Sequence, residues 1–321
     1  TLADNLRQDP MIAAAALQDD NQGLWVTYKS GLEHVYWVVD EDDLGVAPQA
    51  AISAAPPDAA ERLAVPHRLP PSAGAPAAPA AAVTIAQSGP PIQYKLPSNN
   101  KAVLANALHV TLPFQDARDP LEKMLTACGY EVTRVDADLD FFKNMSPYGV
   151  IFLEAHGGIR PSTALPICQE PGTDAALSTS VPITAETVAL IAKQYVEDVY
   201  ICGRLRQSTV EVKRKGKPTL YFPFWAVTPA FVRKYDTGKF PDYALLCLSA
   251  CRSFAPGGSQ WADLMYEKSF GYMVVGWDNH VHYGVSARAM LHLFQFLTGA
   301  NEQFDLSQID IVVLEETVEI D

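Results

Sequence analysis

Two short stretches hold the residues most able to do chemistry. IFLEAHGG (151–158) and LLCLSACRS (245–253) are apolar runs that end in a small residue followed by His156 and by Cys251. A thiol near its ordinary pKa is mostly protonated at neutral pH, and a nearby imidazole either takes that proton or stabilises the thiolate. The pair is therefore a candidate nucleophile and base. Gly157 and Gly158 let backbone approach a substrate closely, and the Gly157 and Cys251 amides are the natural donors to a developing oxyanion. Ala250 is too small to crowd a carbonyl under attack. Cys247, inside the apolar run, reads instead as a compact core side chain. An isolated His-Gly is usually a turn and an isolated Ala-Cys is usually core. The reading rests on both occurring directly after hydrophobic strands.

The surrounding pattern supplies those strands. Runs at 102–110, 130–135, 149–153, 243–248 and 272–275 read as strands, and 120–128, 183–195, 261–268 and 286–297 as helices. Alternation with short connections predicts an α/β fold with a mostly parallel central sheet buried on both faces. Ligands of such sheets gather beyond the carboxyl ends of the strands. Three ends stand out: those leading into His156, into Cys251, and into Gly276-Trp277-Asp278. There is no GxGxxG, no P-loop and no internal repeat.

Before this region, 23–42 holds two alternating runs around Lys29-Ser30-Gly31, the pattern of a β-hairpin. Alone it would be marginal in water, so it must pack on the main domain or on a partner, as an accessory pair or as a pro-segment over a site. An Ala/Pro-dominated stretch follows and reads as an extended linker. The expected organisation is an N-terminal hairpin segment over 1–45, a linker over 46–98 and an α/β domain over 99–321.

Composition narrows the function classes. The chain has 321 residues, 48% of them hydrophobic, which is enough for a sizeable core. A formal charge of −13 argues against a nucleic-acid partner. The apolar runs are far too short to cross a bilayer. Five cysteines at irregular spacing without a CxxC suit neither a disulfide framework nor a zinc knuckle. The compartment stays open.

An apolar strand ending in His-Gly, followed later by one ending in Ala-Cys, resembles the caspase-like (clan CD) cysteine peptidases: caspases, legumain, clostripain, gingipains and separase, with the related CHAT domains. The likeness spans roughly 101–300 and outside the two motifs it is weak. It implies a three-layer α/β/α sandwich and a protein or peptide substrate. It also implies a dyad without an essential third residue: His156 as general acid/base, Cys251 as nucleophile, and the Gly157 and Cys251 amides as oxyanion hole. No cofactor is required. The residue two before the nucleophile helps shape the specificity pocket in these families. Here it is Ser249, which brings no charge, as in CHAT-like sequences. The strand end VVGWDNHVH is similar to separase and CHAT domains. By that likeness Asp278 would receive a basic substrate side chain with Trp277 as a flat wall, giving cleavage after Arg or Lys.

Other constellations carry less. His280 and His282 could join Cys251 around a metal, but no carboxylate ligand is evident nearby. Asp136, Asp138 and Asp140 resemble part of a calcium loop, without its glycine and closing glutamate, so regulatory Ca2+ is only weakly supported. Arg204 and Arg206 read as alternating arginines on an exposed hairpin face. VKRKGKP (212–218) reads as a hairpin tip between a strand pair at 199–202 and 209–212 and a strand at 219–225. A basic-specific enzyme would cut itself there, at Arg214 or Lys215, or in the linker at Arg62 or Arg68. The long segment 161–182 is a further candidate activation loop. The alternative is a catalytically silent or partner-gated module of the same fold, switched by an activating partner protein.

Overall fold

The structure is a computed structural model that describes residues 2–17, 23–40, 97–108, 117–160, 170–213, 218–255, 259–281 and 283–298. Among the described residues, twelve strands form two sheets. Five are parallel: β4 (Lys101–Asn106), β5 (Glu131–Asp136), β6 (Val150–Glu154), β11 (Ala244–Ser249) and β12 (Tyr272–Val275), in the order β12-β11-β6-β4-β5. The central strands are apolar without alternation, and both of their faces are covered. On one side Leu104, Phe152, Leu245 and Cys247 pack against α2 (Arg118–Ala127) and α8 (Tyr283–Leu297). On the other side Val103, Ile151, Leu153, Leu246 and Leu248 meet α3 (Leu139–Lys143), α6 (Pro229–Tyr235) and α7 (Gln260–Lys268). Fully burying side chains of this size is worth about 1.5–3 kcal/mol each, which makes this double-faced core the main driving force.

Local signals set the helix ends. The side chain of Thr184 accepts from the Thr187 N–H at 3.2 Å and the Thr187 side chain answers it, a capping box that starts α4 (Ala185–Gln194). Gly129, with φ of +84°, supplies the left-handed turn between α2 and β5.

The seven-stranded sheet runs β1-β2-β3-β9-β10-β8-β7. The expected hairpin is β2 (Gly23–Tyr28) and β3 (Glu33–Asp40), extended outward by β1 (Ile12–Leu17) beside a short helix α1 (Leu2–Leu6). β3 joins the main body through a parallel ladder with β9 (Leu205–Lys213), from His34 opposite Gln207 to Asp40 opposite Lys213. β10 (Leu220–Val227), β8 (Ala175–Pro182) and β7 (Gly157–Ile159) complete the sheet. The hairpin thus contributes an interior strand.

Three expectations change. Residues 199–202 do not form a strand: Val199 closes into α5 (Val196–Tyr200) and is buried there. The candidate activation segment 161–182 is not all loop, because 175–182 is β8, held between β10 and β7 with Ala175 to Thr179 buried. Arg204 and Arg206 are not exposed. Arg204 binds Asp198 at 2.8 Å and Glu170 at 2.7 Å, and Arg206 pairs with Glu33, both at 0% exposure. Desolvating an arginine is tolerated only with such partners. Residues 214–217 with Arg214 and Lys215, Arg62 and Arg68 in the linker, Cys168 and His282 lie outside the described residues.

Candidate active site

β6 and β11 are parallel neighbours, with Glu154 opposite Ser249 at their carboxyl ends. Two residues further on each chain come His156 and Cys251, so the register brings their backbones to one edge of the sheet. The approach is close. A Cβ placed on Gly157 would lie 2.3 Å from the Cys251 carbonyl oxygen and 3.3 Å from the Ala250 methyl, so only glycine fits there. The Ala155 N–H donates to the Ser249 carbonyl at 3.2 Å, carrying the strand pairing up to the histidine.

His156 sits at the junction of the two sheets, between the end of β6 and the start of β7. Ser178 of β8 clamps its backbone: its hydroxyl accepts from the His156 N–H, and its N–H donates to the His156 carbonyl, both at 2.8 Å. The ring lies against Trp37 and Phe224. Part of it reaches the surface, yet the surrounding protein strips enough water to push its pKa down to about 4. At neutral pH it is therefore uncharged, the form that can accept a proton.

Cys251 opens the turn after β11. Its Sγ lies 3.5 Å from both the N–H and the carbonyl of Val281, in the loop that follows β12. The next residue, Arg252, has φ of +53°, a left-handed conformation costly for a side-chain-bearing residue. Its N–H donates to the Asn279 carbonyl at 3.0 Å, and the Phe254 N–H to that of Trp277 at 2.8 Å. Strain held by such bonds is a feature of functional turns. Cys247, by contrast, is fully buried, and burial pushes its thiol well above the usual range.

The expected pocket residues are partly assembled. Ser249 is buried with its Oγ 2.7 Å from that of Ser286, and the Trp277 indole N–H donates to the same Ser286 at 2.8 Å. Asp278 is exposed to solvent on the same loop. One carboxylate nearby was missed from the sequence. Glu154, fully buried, accepts from the Asn106 amide at 3.0 Å and from the Tyr283 hydroxyl at 2.8 Å. Its signal was available: an acid closing an otherwise apolar strand two residues before the histidine.

Among the described residues no group of three or more His, Cys, Asp and Glu could hold a metal ion. Asp138 caps α3 by accepting from the Phe141 N–H at 2.8 Å, and Asp140 pairs with Lys143. These are local structural roles.

No family model matches the chain, and neither a curated protein nor a solved structure does. The functional reading therefore stands on the residues and geometry alone.

Proposed function

We propose that the chain is a cysteine endopeptidase of caspase-like architecture. Cys251 attacks the scissile carbonyl and His156 serves as general base and then acid. The reaction passes through a thioester acyl-enzyme that water hydrolyses. The observation that carries this reading is the register of β6 and β11, which brings the backbones of His156 and Cys251 to one sheet edge with glycine-sized clearance between the two stretches. Supporting it, the histidine and the cysteine follow adjacent central strands, β6 and β11, of an all-parallel sheet. In this reading the Gly157 and Cys251 amides bind the oxyanion. Ser249 and Trp277 line the pocket for the side chain before the cleaved bond, and Asp278 at its mouth favours Arg or Lys. The substrate is a protein or peptide.

One observation favours a gated form. The Cys251 sulfur rests against the backbone of Val281, in the loop that carries Trp277 and Asp278, so a movement of that loop would alter the surroundings of the thiol. In a partner-switched module that contact is where a partner would act.

The test is labelling by acyloxymethyl ketone peptides carrying Arg or Asp, on wild type and Cys251→Ala. Covalent labelling of wild type alone, faster with Arg, is the expected result. Equal labelling of both proteins would remove Cys251 from the mechanism, and a preference for Asp would remove the basic specificity.

A further inference from the structure

His156 depends on a part of the chain far from it in sequence. Its imidazole centroid is 6.1 Å from that of Trp37 and 6.0 Å from that of Phe224, with interplanar angles of 26° and 6°. Trp37 and Phe224 are themselves 6.0 Å apart at 24°. The three rings form one closed, nearly parallel group. Phe224 comes from β10, but Trp37 comes from β3, beyond the linker.

β3 is held where this matters. Alternation along the strand puts Glu33, Val35 and Trp37 on one face. Glu33 receives two bonds from Arg160 Nη2, at 3.0 and 3.1 Å, and a third from Arg206 Nε. Arg160 directly follows β7, the strand that His156 opens into. Both arginines also lie over Trp25 of β2, at 5.6 and 4.6 Å. The N-terminal segment is therefore fastened to the histidine's own stretch of chain at two points, by ion pair at Glu33 and by ring packing at Trp37.

We propose that Trp37 is a positioning residue for His156: the indole of the N-terminal strand fixes the plane of the imidazole and keeps water from one of its faces, making the hairpin part of the active site and not a cover over it. This rests on the reading of His156 as the base of the dyad. On the face of β3 and β9 that carries Trp37 the charged groups are Glu33 and Arg206, joined by Arg160 after β7, Glu154 of β6 and the Cys251 thiol, while His34, Tyr36, Glu211, Lys213 and Tyr221 of β10 alternate to the opposite face. Burial is the cause of the low imidazole pKa, so removing the indole should be felt directly.

The experiment follows the His156 imidazole by NMR titration in the full chain carrying Cys251→Ala, with His156→Gln to assign the resonance. Cys251 labelling by the Arg-peptide probe is measured as a function of pH in the active chain. Trp37→Ala should move the imidazole pKa from about 4 toward its ordinary 6.5. It should also slow labelling about tenfold or more and carry the acid limb upward. Trp37→Phe, which restores a ring, should keep the wild-type titration and label within about threefold of wild type. Should Trp37→Ala fail to fold, Trp37→Leu removes the ring at similar bulk and carries the same expectation. A folded ring-less variant with wild-type titration and labelling rate overturns the proposal. A wild-type protein that takes no label at Cys251 overturns the dyad reading instead, and the imidazole titration still decides the packing role of Trp37.

Discussion

The two sheets are built from different kinds of sequence information. Each central strand of the parallel sheet is an apolar run, and burial on both faces alone accounts for it. The seven-stranded sheet is gathered from three separate stretches: 12–40, 157–182 and 205–227. Its defining bond joins Glu33 to Arg206, 173 residues apart, with both side chains fully buried. The parallel sheet carries the thiol and the second sheet surrounds the imidazole, so the candidate site lies where they join. In the proposed reading, chemistry split this way would couple activity to the less locally encoded half of the fold.

The sharpest separation is between two cysteines of one strand run. Cys251→Ala should abolish labelling, whereas Cys247→Ala should leave it intact and cost about 1–2 kcal/mol in urea unfolding, as expected for a small cavity in the parallel core. Loss of labelling in a folded Cys247→Ala would reverse their roles.

Glu33→Ala tests whether the second sheet is energetically joined to the first. It removes the carboxylate that two buried arginines share, Arg160 keeping Asp174 at 3.2 Å, and should cost about 3–5 kcal/mol. Proteolysis or hydrogen exchange should show β1 to β3 released first. An unchanged urea midpoint would mean the hairpin is only an attachment.

Acid is a milder probe of the same region. His34 and His156 are both held at a pKa of about 4 by burial, against an ordinary 6.5. Between those values the unfolded chain binds more protons than the folded one, so stability should be full above about pH 6.5 and fall as pH drops toward 4. His34, stacked on Tyr36 and bonded to the Thr209 hydroxyl at 2.9 Å, is a structural histidine with the same depressed pKa. His34→Gln should remove part of the slope, by on the order of a few kcal/mol or less at pH 4, while leaving labelling unchanged at pH 7. Thermal melts across this range check it. A slope unaffected by the substitution would assign the acid sensitivity elsewhere.

The smallest expected effect is at the pocket. Ser249→Ala removes one hydroxyl from the Ser249–Ser286–Trp277 chain and should cost about 1 kcal/mol, with labelling changed only a fewfold. A much larger loss of labelling without loss of stability would make Ser249 a direct substrate contact.

Much of the parallel sheet was legible because its signals are short-range. The run at 272–275 is β12 as written, and 149–153 and 243–248 shift by a residue. The hairpin was legible too, from its alternation and its Ser30-Gly31 turn, with Gly31 at φ of +86°. The errors fall in the second sheet and in the helix that precedes β9. Residues 175–182 look like loop because Ser, Thr and Pro make up half of them, yet pairing on both sides makes them a strand. Arg206 looks like a surface residue because its partner Glu33 is invisible at that distance along the chain.

By itself the sequence determined the apolar strands, the thiol and imidazole at their ends, and the glycine that lets the two backbones meet. Each depends on residue type and spacing within a few positions. Tertiary structure alone decided what surrounds them: Trp37 and Phe224 against His156, Val281 against Cys251, and Glu154 under Asn106 and Tyr283. Those contacts join strands distant in the chain, and burial, which acts through the neighbours that folding provides, is what turns an ordinary imidazole into one uncharged down to about pH 4.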